Sequence, residues 1–299
     1  MTPAPPPEPG IPVDTTLVRR LLAAQLPHWA ALPIRAVPAS GRDTVVFRLG
    51  DALAVRLPRR DLGARHLLTE ARWLPALAPS LPLPVPAPIA VGQPGAGYPW
   101  SWTVTPWFSG ATAADRPVRN PLATADLLAG FVTALHAVDP TGGPPADLRG
   151  GPLVDHDTAV RAMIGASSHR WDPARITAVW AAAVAAPAWT GPGVWTHGDL
   201  HPANLLVTDG RLSAVLDFGL CGVGDPAADL LVGWALLDAP ARRHLFATLR
   251  IDEPTSIRAR GRALAFGLMC ATHTPPDSVA DRIGRRTVDA VLADLVRND

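Results

Sequence analysis

The chain has 299 residues, 48% of them hydrophobic, and a formal net charge of +1. This composition predicts a globular protein with one large domain or two lobes, and the small net charge argues against a dedicated nucleic-acid binder. No apolar run is long enough to span a membrane. The proline-rich residues 1–12 predict a disordered or extended tail without the apolar core of an export signal, so we expect a cytoplasmic protein.

The first third of the chain carries strand-like runs and two helical patterns. Asp14 can cap a helix that continues to about Gln25, and Gly50 with Asp51 can close a hairpin. The predicted strands lie at residues 34–37, 44–49, 53–57, 89–91 and 100–106, and the second helix lies at about 64–78. Prolines keep the rest of residues 79–94 extended.

Helical patterns dominate the remainder of the chain. Asn120 followed by Pro121 is typical of a helix start, and the apolar stripe that follows ends near His136. Further helices are predicted at about residues 157–165, 173–186, 227–250, 256–273 and 280–296. A hairpin of two short strands, residues 205–208 and 214–216, is predicted around Asp209 and Gly210.

The change from strand-like to helical patterns predicts an α+β protein with two lobes. The boundaries are a small β-rich N-terminal lobe at residues 13–105, a hinge at 106–110, and a larger, mainly helical C-terminal lobe at 111–299.

The motif from residue 195 to residue 219 reads WTHGDLHPANLLVTDGRLSAVLDFG. Phosphoryl transfer from a nucleotide needs a carboxylate near the attacking hydroxyl and oxygen ligands that hold magnesium on the phosphates. Asp199 can accept the proton of the hydroxyl, and Asn204 and Asp217 can bind Mg²⁺. Their order and spacing match the catalytic template H-R-D-x-x-x-x-N followed by D-F-G.

Two histidines in the motif, His197 and His201, are four residues apart, as in a zinc protease. Gly198 stands where such a site needs a glutamate, and Pro202 disfavours a helix through the pair, so zinc is rejected. We expect His197 to order the catalytic loop by hydrogen bonding instead.

Three pieces of the sequence resemble the aminoglycoside phosphotransferase family, with some similarity to macrolide phosphotransferases. They are HGDLHPANLLV, VLDFG and GDPAADL, with weaker similarity in VRLPRR and FVTALHAVD. The resemblance implies a bilobal protein-kinase-like fold, catalysis by Asp199, and Mg²⁺ binding by Asn204 and Asp217. Gly198, where most protein kinases have arginine, favours the small-molecule kinases. Asp229 is implied to brace the catalytic loop, although capping of the next helix is an equal alternative.

Most members of this family hold the nucleotide phosphates with a lysine that is paired to a helix glutamate. The present chain contains no lysine, and the matching position is Arg56, with Glu70 as its partner. Arginine binds phosphate through a planar fork and is not equivalent to lysine. The departure leaves both ATP and GTP open as the phosphate donor.

The other predicted nucleotide contacts lie in two loops. Ser40 and Gly41 can belong to a loop that covers the phosphates, whereas no Walker-type GxxxxGK[ST] motif is present. The predicted hinge contributes backbone groups that bind the purine, and its residues are Thr105, Trp107 and Phe108. Among the ten tryptophans, Trp107 and Trp234 are the candidates for ligand contact.

Together these features predict a Mg²⁺-dependent kinase that phosphorylates a hydroxyl of a small molecule, in the favoured case an antibiotic. A sugar or amino-alcohol metabolite is the alternative acceptor, and a non-catalytic pseudokinase is the alternative of another class. No motif identifies the acceptor-binding residues.

Overall fold

The computed structural model describes residues 13–37, 43–146 and 150–294. The chain divides into two compact units, Met1–Pro79 with Val85–Phe108, and Ser80–Pro84 with Ser109–Asp299. The predicted tail at residues 1–12 and the predicted phosphate loop at Ser40 and Gly41 lie outside the described residues. No described helix is both long and apolar enough to cross a membrane.

The first unit contains a five-stranded antiparallel sheet in the order β1-β2-β3-β5-β4. The strands are β1 (Ile34–Ala36), β2 (Thr44–Leu49), β3 (Leu53–Pro58), β4 (Ala90–Gly92) and β5 (Trp102–Pro106). Alternate residues of β2 are buried. Val45, Phe47 and Leu49 from this strand share a core with Leu21 and Leu22 of helix α1 (Thr15–Gln25). The side chain of Asp14 caps α1, as predicted.

Helix α2 (Asp61–Leu77) packs against β3 and β5. It begins three residues before the predicted start at Ala64, because the apolar periodicity sets in only after its first residues. An acidic residue such as Asp61 favours a helix N-terminus. The buried face of α2 carries Glu70 between Leu67 and Leu74, so one carboxylate is enclosed in an otherwise apolar contact.

The second unit is mainly helical. Its helices are α3 (Pro121–His136), α4 (Asp157–Ala166), α5 (Pro173–Ala185), α6 (Val232–Ala235), α7 (Ala239–Thr248), α8 (Glu253–His273) and α9 (Val279–Ala293). Asn120 caps α3 through the backbone N–H of Ala123, as predicted. One apolar core joins α4, α5, α8 and α9, and Trp180 of α5 is fully buried in it.

Two small sheets lie among these helices. One has the order β6-β8-β9, with β6 (Ala111–Thr112), β8 (Leu205–Thr208) and β9 (Arg211–Val215), and the other pairs β7 (Val194–Thr196) with β10 (Gly222–Gly224). The β8–β9 hairpin turns at Asp209 and Gly210, whose φ values are +51° and +76°. Such a two-residue turn allows strand pairing to begin at Arg211, three residues earlier than predicted.

The predicted continuous helix over residues 227–250 is wrong. A 3₁₀ helix over Pro226–Leu231 leads into the short α6, and α7 begins separately after Asp238. The side chain of Asp238 accepts a hydrogen bond from the backbone N–H of Ala241, and Pro240 lies in the first turn of α7. A capping aspartate followed by a proline starts a new helix here, although the apolar pattern alone runs through it.

Candidate functional site

The loop that carries Asp199 depends on a glycine. Gly198 has φ +76°, and a Cβ atom there would lie 2.6 Å from the backbone oxygen of Leu220. Because this conformation is strained for residues with a side chain and the obstacle is backbone, no larger residue fits without moving the loop. The contrast with arginine at this position in protein kinases therefore has a steric basis in this chain.

Asp229 lies directly behind this loop. Its carboxylate is fully buried and accepts hydrogen bonds from the backbone N–H groups of His197 (3.1 Å) and Gly198 (3.0 Å). The Nε2 atom of His136, at the end of α3, lies 3.1 Å from the same carboxylate. A buried carboxylate with three donors holds a loop firmly. The geometry supports the bracing role for Asp229, whereas the nearby Asp225 is the residue that caps, through the N–H of Ala227.

No local pattern in the sequence predicts that His136 belongs to this arrangement. It stands in the family-like run FVTALHAVD, but a histidine in the last turn of a helix is also favoured by the helix dipole. The 93 residues between His136 and Asp229 hide their contact from any local pattern.

His197 forms hydrogen bonds through both ring nitrogens. Nδ1 lies 3.1 Å from the backbone nitrogen of Asp199, whose N–H donates to it. Nε2 must then carry the proton in the neutral ring, and it donates to the backbone oxygen of Leu216 at 2.9 Å. The ring is fully buried and packs 4.4 Å from the ring of Phe218, centroid to centroid. His197 thus links the Asp199 loop to the segment that precedes Asp217.

Asn204 is oriented by Asp199. Its Nδ2 donates to the backbone oxygen of Asp199 at 2.9 Å and to the carboxylate Oδ2 at 3.3 Å. Because both of these atoms can only accept, the amide nitrogen must face them and the amide oxygen must point the other way. In this orientation Oδ1 faces away from Asp199, and an amide oxygen is a suitable ligand for a hard cation.

Asp217 and Asn204 flank the same end of the β8–β9 hairpin. Asn204 immediately precedes β8, Asp217 follows β9 by two residues, and the N–H of Leu216 donates to the backbone oxygen of Asn204 at 2.8 Å. Asp217 has φ +61° and an exposed side chain, and its Oδ1 lies 3.4 Å from the nitrogen of Gly219. The left-handed backbone turns this side chain out of the strand direction.

The donor set fits magnesium. Mg²⁺ takes one or two protein oxygen ligands and completes its shell with water and phosphate oxygens. Asn204 supplies a neutral oxygen and Asp217 a charged one, both from the same end of the hairpin. Within the described residues, no group of three or more His, Cys, Asp and Glu side chains could hold a metal ion. A site of two oxygen ligands is consistent with that finding.

In the first unit, Arg56 of β3 forms an ion pair with Glu70 of α2. Both guanidinium nitrogens Nη1 and Nη2 donate to the Glu70 carboxylate, the second at 3.3 Å. The Arg56 side chain is 14% exposed and the Glu70 side chain 1%. The two residues therefore form an enclosed, bidentate ion pair.

The predicted purine-binding residues lie at the end of β5 and directly after it. The backbone N–H of Trp107 donates to the oxygen of Ala52 at 2.8 Å, so the sheet already uses this donor. Thr105 is buried and lies opposite Ala54 of β3. The indole ring of Trp107 lies 5.3 Å from the guanidinium carbon of Arg48. Of the three predicted residues, Phe108 is the one that follows the last paired position.

The expectation that Trp234 contacts a ligand is wrong. Its side chain is 2% exposed within the core of the second unit. Its Nε1 donates to Oδ2 of Asp294 at 2.7 Å, and its ring packs edge-on against Phe246. Arg242 also donates to Asp294, the residue that follows α9. Trp234 and Arg242 together therefore anchor the end of this helix.

Asp225 forms a buried ionic cluster with two arginines of α8. Arg258 donates to it through Nε at 2.8 Å, and Nη2 of Arg262 lies 3.2 Å from it. Burial raises the pKa of Asp225, but the hydrogen bonds from Arg258 and Ala227 and the two positive charges outweigh burial, so its pKa lies below the ordinary value. This cluster fastens the start of the 3₁₀ helix that carries Asp229.

Comparison with known proteins agrees with this architecture. The sequence model of the phosphotransferase enzyme family matches residues 34–264. No curated protein matches the chain in sequence. The structure of the GDP complex of wild-type aminoglycoside 2'-phosphotransferase-IIIa is similar, with a TM-score of 0.71, 16% identity, and coverage of 95% of this chain and 100% of that one.

Two further solved structures cover most of the chain. The macrolide 2'-phosphotransferase MphH from Brachybacterium faecium has a TM-score of 0.59 and 25% identity, with 92% of this chain and 98% of that chain covered. The streptomycin–ATP–APH(2")-IIa ternary complex has a TM-score of 0.59 and 17% identity, with 86% and 90% covered. These likenesses confirm the predicted α+β fold, with a β-rich first part and a helical second part. The chain belongs to the phosphotransferase enzyme family and is a small-molecule phosphotransferase.

Proposed function

We propose that this protein transfers the γ-phosphate of ATP or GTP, with Mg²⁺, to a hydroxyl group of an antibiotic and thereby confers resistance. The observation that carries the proposal is the hydrogen bonding that joins the segments of Asp199, Asn204 and Asp217: the Asn204 amide donates to Asp199, and the N–H of Leu216, the residue before Asp217, donates to the backbone oxygen of Asn204. We place the reaction in the cytoplasm, where both nucleotides are available.

The second unit supplies the groups that act on the reacting atoms. Asp199 orients the acceptor hydroxyl and accepts its proton on the carboxylate as the oxygen attacks phosphorus. Asn204 Oδ1 and the Asp217 carboxylate would hold Mg²⁺, which would neutralise charge on the phosphate oxygens. Catalysis by this set is mainly positioning, so the loop must be rigid. Rigidity comes from Asp229 and His197.

The first unit supplies the nucleotide contacts in this proposal. Arg56, aligned by Glu70, offers a planar guanidinium to the phosphates. The N–H of Phe108 is the proposed backbone donor to the purine, because Trp107 donates within the sheet. Related structures contain GDP and ATP, which supports a nucleotide donor for this chain and leaves the choice of base to experiment.

The acceptor is proposed from the comparisons. The macrolide 2'-phosphotransferase shares 25% identity with this chain, against 16% and 17% for the aminoglycoside enzymes, so macrolides are the first acceptors to test. A sugar or amino-alcohol metabolite remains the second candidate. The intact geometry of the proposed catalytic and metal residues favours an enzyme over a pseudokinase.

The test is an acceptor panel incubated with Mg²⁺ and either ATP or GTP, followed by mass spectrometry for one added phosphoryl group. Macrolides, aminoglycosides, sugars and amino alcohols form the panel. Asp199→Ala should abolish turnover and spare nucleotide binding measured by calorimetry. Asp126→Ala is the matched control, because Asp126 is an exposed aspartate on α3 that contacts His244 at the surface. Retained turnover in Asp199→Ala would refute the mechanism, and nucleotide binding without turnover of any acceptor would favour the pseudokinase.

A further inference from the structure

His201 lies two residues after Asp199, and the proposed mechanism gives it no part. Its Nδ1 lies 3.3 Å from the backbone nitrogen of Ala203, and His201 is the N-cap of the 3₁₀ helix Pro202–Asn204. Because the N–H of Ala203 can only donate, Nδ1 must accept. The proton of the neutral ring is therefore on Nε2.

Nε2 lies beside the Asp199 carboxylate and the Asn204 amide. Nε2 of His201 lies 3.3 Å from Oδ2 of the carboxylate. The same Oδ2 accepts from Nδ2 of Asn204 at 3.3 Å, and this Nδ2 lies 3.4 Å from Nε2 of His201, so two neighbouring nitrogens contact one carboxylate oxygen. Each contact is long, and the pair together restricts rotation of the carboxylate more than either contact alone.

The histidine ring is itself held in place. It packs against Phe266 of α8, with ring centroids 5.0 Å apart and an interplanar angle of 33°. The side chains of His201 and Asp199 are 14% and 18% exposed, so water competes only partly for their contact. A ring that is fixed by a cap on one nitrogen and by packing on one face can fix its neighbour in turn.

We propose that His201 is a positioning residue, which holds the Asp199 carboxylate in the orientation that accepts the proton of the acceptor hydroxyl. This inference rests on the proposed phosphotransferase function. It differs from a purely structural role, in which His201 would only cap the 3₁₀ helix through Nδ1.

Two substitutions separate these roles, because each preserves one ring nitrogen's contact. In His201→Asn the side-chain oxygen can replace Nδ1 as the cap, since asparagine is a good N-cap, but the side chain is too short to reach Asp199. In His201→Gln the amide nitrogen can replace Nε2 toward Asp199, while the cap is weakened. The experiment measures kcat and KM for nucleotide and acceptor in both variants, together with Tm.

We expect His201→Asn to lower kcat by about tenfold to a hundredfold, with KM changed less than about threefold, since a misplaced reacting group costs rate rather than ground-state binding. His201→Gln should recover most of kcat and have the lower Tm. The proposal is overturned if His201→Asn has wild-type kcat, or if activity in the two variants simply follows Tm.

A thermal double-mutant cycle tests the contact independently of turnover. The Tm decrease caused by His201→Asn should be larger in the wild-type background than in Asp199→Ala, by about 2 °C for a hydrogen bond of ordinary strength. Equal decreases in both backgrounds would overturn the inference. If the wild-type protein turns over no acceptor, the proposed function fails, and the cycle still decides whether His201 holds Asp199.

Discussion

Replacing Asp229 with alanine should destabilise the second unit strongly. The substitution removes the acceptor for the buried N–H groups of His197 and Gly198, and each buried donor left without a partner costs about 1–3 kcal/mol. The loss from these two groups is therefore about 2–6 kcal/mol. His136 adds little, because its side chain is 18% exposed and its Nε2 can turn to water. A domain is stable by only about 5–15 kcal/mol, so this loss is a large share of the total.

Urea unfolding followed by tryptophan fluorescence and circular dichroism measures this loss. Asp229→Asn should lose less than Asp229→Ala, because one side-chain oxygen remains to accept one of the backbone N–H groups. Asp126→Ala is the control, since its side chain is 62% exposed and its contact with His244 lies on the surface, and it should cost less than about 1 kcal/mol. If Asp229→Ala and Asp126→Ala lose equal stability, the proposed brace behind the catalytic loop is refuted.

Three further predictions concern single side chains. Gly198→Ala should destabilise the protein by at least about 1–2 kcal/mol in the same urea assay. The control Gly130→Ala, at an exposed helical position with open space around it, should be neutral or stabilising. Equal effects of the two substitutions would contradict the steric argument. Arg56→Met should lower the free energy of unfolding by about 3 kcal/mol or more, because it removes both bonds to buried Glu70. Arg56→Lys should lower it less, and should weaken nucleotide binding less when affinity is measured by calorimetry. Equal losses of stability in the two variants would contradict the bidentate ion pair. The pKa of Asp225 is lowered on folding, so its stabilising contribution is present above about pH 4 and is lost as the pH falls through the folded-state pKa. Asp225→Asn should therefore make the free energy of unfolding less dependent on pH below about pH 4. An unchanged pH dependence in this range would contradict the assignment.

Local signals in the sequence were sufficient for most helices and for the principal hairpins. Asp14 and Asn120 are helix caps that a single position reveals, and both were placed correctly. Strands β6, β7 and β10 were not predicted; each has only two or three residues, a length at which alternation is a weak signal. The break before α7 was missed because the apolar pattern outweighed the signal of Asp238 and Pro240.

In the candidate site too, some residues can be identified from the sequence and others only from the folded structure. Asp199, Asn204 and Asp217 were chosen from spacing, because their chemistry requires particular residue types within one short stretch. Their roles stay predictions until turnover is measured. The contact between His136 and Asp229 joins distant parts of the chain, so only the folded structure brings it to light. Burial of Trp234 was likewise invisible, because a tryptophan serves equally well in a core and at a ligand.

Leu216 shows how a residue can matter without its side chain. Its N–H donates to the Asn204 oxygen, and its carbonyl accepts from Nε2 of His197, so the backbone of one residue joins both ends of the motif. Neither bond involves the side chain of Leu216, and any residue except proline keeps the N–H. Substitutions at position 216 should therefore be judged by whether they preserve these two backbone bonds, which connect the proposed metal-binding residue Asn204 to the loop that carries Asp199.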